Sequence, residues 1–113
     1  MAATVFSKII AREIPARIEY EDNLCLVFHD ANPQAPFHLL IIPKEPIASL
    51  FDVEEKTASL LGHLVVVATR IATQLGLSSG YRLVVNCGPD GGQSVDHLHL
   101  HLLGGRALHW PPG

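Results

Sequence analysis

Charge is scarce in this 113-residue chain. Asp, Glu, Lys and Arg make up 17% of it, and the net charge is −3 with histidine neutral. No basic run or stripe occurs, which excludes a broad electrostatic grip on a nucleic-acid backbone. A small anionic ligand stays possible, because a local site can oppose the overall sign. Cysteine is also scarce: Cys25 and Cys87 lie far apart and form no CxxC pair. That leaves no zinc ribbon or redox motif, and both read as reduced core thiols. No apolar run approaches the ~20 residues of a membrane-spanning helix, so no membrane partner is expected. Near the N-terminus, Lys8, Arg12 and Glu13 interrupt the apolar residues, so a signal-peptide apolar stretch is missing and the chain reads as cytoplasmic.

Apolar residues are plentiful, at 48% of the chain. Residues 1–113 therefore read as one globular domain with a core of its own. Thr4 to Glu13 carries Phe6, Ile9 and Ile10 at helical spacing, and Pro15 predicts its end. Ile18–Tyr20 and Leu24–Phe28 are β-prone runs separated by a turn at residues 21–23. His38–Ile42 reads as an aliphatic strand bounded by prolines. Asp52 with Glu55 resembles a capping box opening a long helix to Leu75, with Gly76 as its left-handed stop. Beside its core-facing stripe, Val66 and Val67 predict a second buried face and self-association. Arg82–Asn86 reads as a strand, Gly88–Gly92 as a hairpin turn or short loop, and Leu98–Leu103 as the last strand. The expected architecture is α+β: an antiparallel sheet of about five strands with one face covered by the long helix.

Seven histidines are present, and three of them alternate in His97-Leu98-His99-Leu100-His101. On a strand, alternate residues share a face, so the leucines are predicted to point into the core and the histidines away from it. Two chemistries fit such a row. His-x-His can place two imidazoles on zinc or iron, with a further ligand from His38, His29, Asp30 or Asp96. Alternatively the middle histidine attacks an electrophile and its neighbours position the substrate or move protons. Asn86, Gly88, Gly91, Gly92, Gln93 and Ser94 just before the row favour the second chemistry, since such a loop offers backbone N–H groups to a phosphate.

The run from His97 to Leu103 resembles the histidine triad (HIT) superfamily. FSKIIAREIPA, FHDANPQAPFHLLIIPK, GYRLVVNCGPDGGQSV and GGRALHWPPG are similar to its Hint branch, the histidine triad nucleotide-binding proteins. The resemblance implies a HIT fold: a five-stranded antiparallel sheet with one long and one short helix, extended across a homodimer. It implies a purine nucleoside phosphoramidase, which cleaves a nucleoside 5′-phosphoramidate to the mononucleotide and an amine. In that reading His99 is the nucleophile, the carbonyl of His97 orients it, His101 and Ser94 contact the phosphate and assist the leaving group, and His38 lies beside the triad. Asp30 would hold the ribose, and Phe6, Ile9, Phe28, His29 and Ala31 would line the base pocket. Asn86, Gly92 and Gln93 would line the phosphate and sugar, and Trp110 would reach the partner subunit's site. No cofactor or metal is implied. The alternatives are a nucleotide-binding scaffold with incidental turnover, a dinucleoside polyphosphate hydrolase of the same superfamily, and a metal-dependent hydrolase.

Overall fold

The computed structural model describes residues 3–113. Helix α1 (Val5–Ile10) opens with a reciprocal cap: the Ser7 N–H donates to the Thr4 hydroxyl, and the Thr4 N–H donates to the Ser7 hydroxyl. Such a cap satisfies two of the N–H groups that a helix start leaves without partners. The helix is shorter than its residue pattern predicts. Arg12 adopts a left-handed φ of 63° and turns the chain before Pro15 is reached.

Five strands follow: β1 (Ile18–Glu21), β2 (Cys25–His29), β3 (Phe37–Pro43), β4 (Tyr81–Val84) and β5 (Leu100–Gly104). They form one antiparallel sheet in the order β1-β2-β3-β5-β4, so the last strand in sequence lies between β3 and β4. Strand β3 is buried along nearly its whole length, which explains its continuous aliphatic run. Both of its faces are covered. On one face Val27, Leu39, Ile41, Leu100 and Leu102 pack with Leu64, Val67, Ala68 and Ile71 of the long helix α2 (Ala58–Gln74). On the other face Leu26, Phe28, Leu40 and Ile42 pack with Phe6 and Ile9 of α1. The architecture is α+β as expected, with α1 as an unforeseen cover for the second face.

Strand β4 ends at Val84, not Asn86, and three further differences from the sequence reading each have a local reason. The long helix begins at Ala58, not Asp52. Two 3₁₀ turns, Leu50–Asp52 and Glu55–Thr57, precede it, and the Glu54 N–H donates to the Thr57 hydroxyl. Gly88–Gly91 forms one helical turn, α3, because Pro89 suits a first turn and Gly92 stops it at φ 81°. Strand β5 starts at Leu100, so His97 and His99 lie outside it. Its partner β3 ends at Pro43, and the Leu98 N–H instead donates to the Ile47 carbonyl at 2.7 Å. On α2, Val67 belongs to the core, while Val65 and Val66 remain exposed beside it.

Gly105 sits just past β5 with φ 91°, and a Cβ there would come within 2.9 Å of the Pro36 Cβ and 3.2 Å of the Phe37 ring. Gly105→Ala is therefore expected to destabilise the fold by about 1–3 kcal/mol. A fall in the urea midpoint at constant m checks this; an unchanged midpoint would mean that the Pro36 loop yields freely.

Candidate active site

Four imidazoles meet at the junction of β3, β5 and the segment leading into β5. The register places His101 opposite Leu40, and Leu40 opposite Phe28, so His101 shares the α1-covered face of the sheet. His38, two residues from Leu40 on the same strand, lies on that face too. His97, His99 and His38 are all buried, so the row is not the solvated sheet face that simple alternation would give. Leu98, Leu100 and Leu102 do point together into the α2-side core.

Each ring is held by its hydrogen bonds in a definite protonation pattern. His97 Nε2–H donates to the Pro43 carbonyl at 2.8 Å. The His97 carbonyl in turn accepts from His99 Nδ1–H at 2.7 Å. With its proton on Nδ1, His99 carries a lone pair on Nε2. The second chain starts at a backbone group, where the Gln34 N–H donates to His38 Nδ1 at 3.0 Å. An acceptor Nδ1 requires the His38 proton to be on Nε2, which faces His101 Nδ1 at 2.9 Å and donates to it. His101 therefore carries its own proton on Nε2. Among the described residues, no buried side-chain nitrogen or oxygen lacks a partner. His99 Nε2 and His101 Nε2 have no partner among these residues, so both open to solvent. With ring centroids 5.0 Å apart, one presents a lone pair and the other an N–H donor.

Burial favours the neutral form of His38, His97 and His101. Burial lowers His101 to about 4, and a proton added to His99 or His38 would push it in the same direction. Burial also lowers His97 and His38, opposed at His97 by the bond to Pro43 and at His38 by Asp30. Asp30 Oδ2 lies 3.4 Å from His38 Nε2, near enough to favour a proton there without displacing His101 as its acceptor. Phe6 stands edge-on to the His99 ring at 5.0 Å and to Phe28 at 5.5 Å, which limits how far His99 can swing.

The remaining candidates divide. Phe6, Ile9 and Phe28 are buried in the α1-side cluster. His29 is half-buried and bonds Glu19 at 2.8 Å, while Ala31 is exposed. Asn86 is half-buried at the end of the β4 segment, and Gly92 stops α3. Gln93 is committed within its loop: its amide accepts the Gly88 N–H and donates to the Ala48 and Val95 carbonyls. Ser94 and Asp96 line an open cavity of about 500 Å³ with Thr4, Val5 and Ala48; the triad rings are not part of its wall. Trp110 is 82% exposed. Two groups were missed from the sequence, the Gln34 N–H and the Pro43 carbonyl. Both are backbone atoms, and side-chain identity carries no signal for them.

Among the described residues, His97 and His99 belong to no group of three converging ligand atoms, so the two-imidazole arrangement of the His-x-His reading is not brought together. The group that does converge is Asp30, His38 and His101, whose ligand atoms lie within 4.8 Å of one another. Its two imidazoles are joined by their own hydrogen bond.

The lowered histidines make stability pH-dependent. Their folded values lie below the ordinary 6.5, so between the two values the unfolded chain binds more protons and stability rises with pH. Acidification from pH 6.5 through about 4 is expected to lower the urea midpoint, with His101 contributing on the order of 2 kcal/mol. His101→Gln should flatten this slope; an unaltered slope would place the acid-sensitive groups elsewhere.

Comparison with known proteins agrees with this geometry. The HIT domain family matches residues 11–108. An uncharacterised HIT-like protein of Synechococcus elongatus is 61% identical over 110 residues, covering 97% of this chain and 96% of that protein. A protein of Zea mays described as a 14 kDa zinc-binding protein is 54% identical over 112 residues, covering 97% and 88%. Among solved structures, a HIT family hydrolase from Legionella pneumophila superposes with a TM-score of 0.96 at 51% identity, over 98% of this chain and 100% of that one. A histidine triad nucleotide-binding protein from Candida albicans gives 0.82 at 31% identity, over 96% and 83%. Sequence, sheet order and the histidine cluster lead to one conclusion: this chain belongs to the HIT family.

Proposed function

We propose that the chain is a nucleotide hydrolase of the Hint type, cleaving the P–N bond of purine nucleoside 5′-phosphoramidates. The observation that carries this reading is the pairing of an open lone pair on His99 Nε2 with an open N–H on His101 Nε2. A phosphoryl centre needs both, a nucleophile for phosphorus and a donor for the negative oxygens. The Legionella relative is described as a hydrolase and the Candida relative as nucleotide-binding, which supports the same substrate class.

In the proposed reaction His99 Nε2 attacks the α-phosphorus and the P–N bond breaks. The departing amine nitrogen is assigned the Ser94 hydroxyl proton, which the water of the second step replaces. His101 Nε2–H holds a phosphoryl oxygen throughout. The His99 Nδ1–H bond to the His97 carbonyl strengthens as the ring gains charge, so it favours the transition state over the resting enzyme. Water then attacks the nucleotidyl-histidine, releases the nucleoside monophosphate and restores the lone pair. Asp30 is assigned to the ribose hydroxyls, and Phe6, Ile9, Phe28, His29 and Ala31 to the base. Asn86, Gly92 and Gln93 are assigned to the phosphate and sugar. No metal enters this scheme.

The test is hydrolysis of adenosine 5′-phosphoramidate in excess EDTA. Wild type is expected to turn over, and His99→Ala to lose roughly 10⁴-fold or more in kcat/KM. Binding of AMP with no turnover by either protein would favour a nucleotide-binding module. Activity only after zinc is restored would favour metal-assisted hydrolysis. That second reading draws on the maize relative's description and on the Asp30, His38 and His101 group, which offers one oxygen and two nitrogen donors suited to zinc.

The same reading includes a homodimer. Strand β4 is an edge of the sheet, and Val65 and Val66 leave apolar surface exposed on α2. An unpaired edge and an apolar helix face are the two features that a second copy would cover. Trp110, on the exposed tail, is assigned to the partner's site. Val66→Glu is expected to shift sedimentation from dimer to monomer at micromolar concentration; a wild type that sediments as a monomer would remove this part of the proposal.

A further inference from the structure

A second cluster of reactive side chains lies on the opposite, α2-covered face of the sheet. Asp22, in the turn between β1 and β2, accepts four hydrogen bonds. Its Oδ1 takes the backbone N–H groups of Leu24 and Cys25, both at 2.8 Å. Its Oδ2 takes the Tyr20 hydroxyl at 2.8 Å and His63 Nε2–H at 2.7 Å. Cys25, the first residue of β2, places its thiol beside this pair, and the three ligand atoms all lie within 4.8 Å of one another. The thiol is wholly buried, whereas the Asp22 and His63 side chains keep 24% and 28% of their exposure. The group is reachable from solvent on one side and closed on the other.

We propose that Asp22, Cys25 and His63 form a binding site for a zinc-type divalent cation, structurally separate from the triad. One thiolate, one imidazole and one carboxylate suit zinc, whose usual distances to S, N and O are ~2.3, ~2.0–2.1 and ~2.0–2.2 Å. Soft sulfur among the ligands disfavours calcium and magnesium. A tetrahedral ion at those distances needs ligand atoms roughly 3.3–3.8 Å apart. The Asp22–His63 pair, now at 2.7 Å, opens slightly on binding, and any contraction elsewhere starts from separations of no more than 4.8 Å. Both movements are within the reach of side-chain torsions. The ligands come from the turn, β2 and α2, so a bound ion would tie the edge of the sheet to the helix. Tyr20 would act on Asp22 from outside the coordination sphere or fill the fourth position in place of water.

The carboxylate is prepared for a cation, whereas the thiol has to lose its proton on binding. Burial pushes the Asp22 carboxyl up, but the bonds from His63, Leu24, Tyr20 and Cys25 outweigh it, and the group stays an anion well below the ordinary carboxylate range. Burial and the neighbouring Asp22 push the Cys25 thiol up to about 12. In the apo protein the sulfur thus keeps its proton, and a coordinated cation is the kind of charge that removes it. On binding, the Cys25 proton leaves to solvent, and the His63 proton moves from Nε2 to Nδ1 so that Nε2 can coordinate.

The experiment titrates Co²⁺, a spectroscopic stand-in for zinc, into the reduced full-length chain, followed by displacement with Zn²⁺. The expected result is one equivalent bound, with a thiolate-to-cobalt charge-transfer band and the visible bands of four-coordinate cobalt. Cys25→Ala should abolish the charge-transfer band, and Cys87→Ser should leave it intact. His63→Gln should weaken binding by ~100-fold or more, and Tyr20→Phe by about 10-fold. Because Cys25 is buried, far-ultraviolet dichroism and the urea midpoint of each variant accompany the titration, and Tyr20→Phe and His63→Gln carry the test if Cys25→Ala does not fold. Absence of the band at millimolar Co²⁺, or binding lost in His101→Gln but kept in His63→Gln, would overturn the proposal.

Discussion

An imidazole taken out of water has two nitrogens of opposite hydrogen-bonding sense, and each must find a matching partner or remain open to solvent. Four such rings sit within a few ångströms of one another here, and two backbone groups fix the pattern. The Gln34 N–H makes His38 Nδ1 an acceptor, which passes a donor to His101 and leaves His101 with a proton facing outward. The His97 carbonyl makes His99 Nδ1 a donor, which leaves a lone pair facing outward. Neither backbone group can titrate. The pattern therefore holds across the pH range in which the rings stay neutral, and burial widens that range.

The fold supports this rigidity from both sides of the sheet. Strand β3 is the shared wall: Leu39 and Ile41 face α2, while His38, Leu40 and Ile42 face α1 and the histidines. Phe6 reaches from α1 onto the His99 ring, so the short helix is part of the site as well as a cover for the sheet. A chain with so little charge has few long-range fields to orient its reacting groups. Short-range packing and backbone dipoles do that work instead.

Legibility in the sequence followed the kind of signal each feature emits. Periodicity exposed the long helix and the five strands, because apolar spacing reports directly on which face is buried. Alternation also placed Leu98, Leu100 and Leu102 in one core, although the first two triad histidines lie outside the strand. The start of β5 was missed because it depends on where β3 runs out of backbone donors near Pro43, a tertiary fact. Gly88–Gly92 looked like hairpin chemistry, since the residues that permit a tight turn also permit one helical turn ended by glycine. The four histidines of the site were legible as residue types. Their protonation pattern was not, because it is set by main-chain atoms at Gln34 and His97. The Asp22, Cys25 and His63 group was invisible for a further reason: Cys25 and His63 meet only when α2 lies across the sheet.

The sheet order has a consequence for how the molecule is made. Strand β5 lies between β3 and β4, and it brings His101 to His38 across 63 residues of chain. Until that segment arrives, β3 has one unpaired edge and β4 has no neighbour at all, so two runs of hydrogen-bonding groups wait for the same late strand. Such non-local pairing is the slow kind. During synthesis the N-terminal hairpins can form first, but His101 cannot reach His38 before β5 pairs with β3. The histidine cluster is thus complete only once β5 is in place.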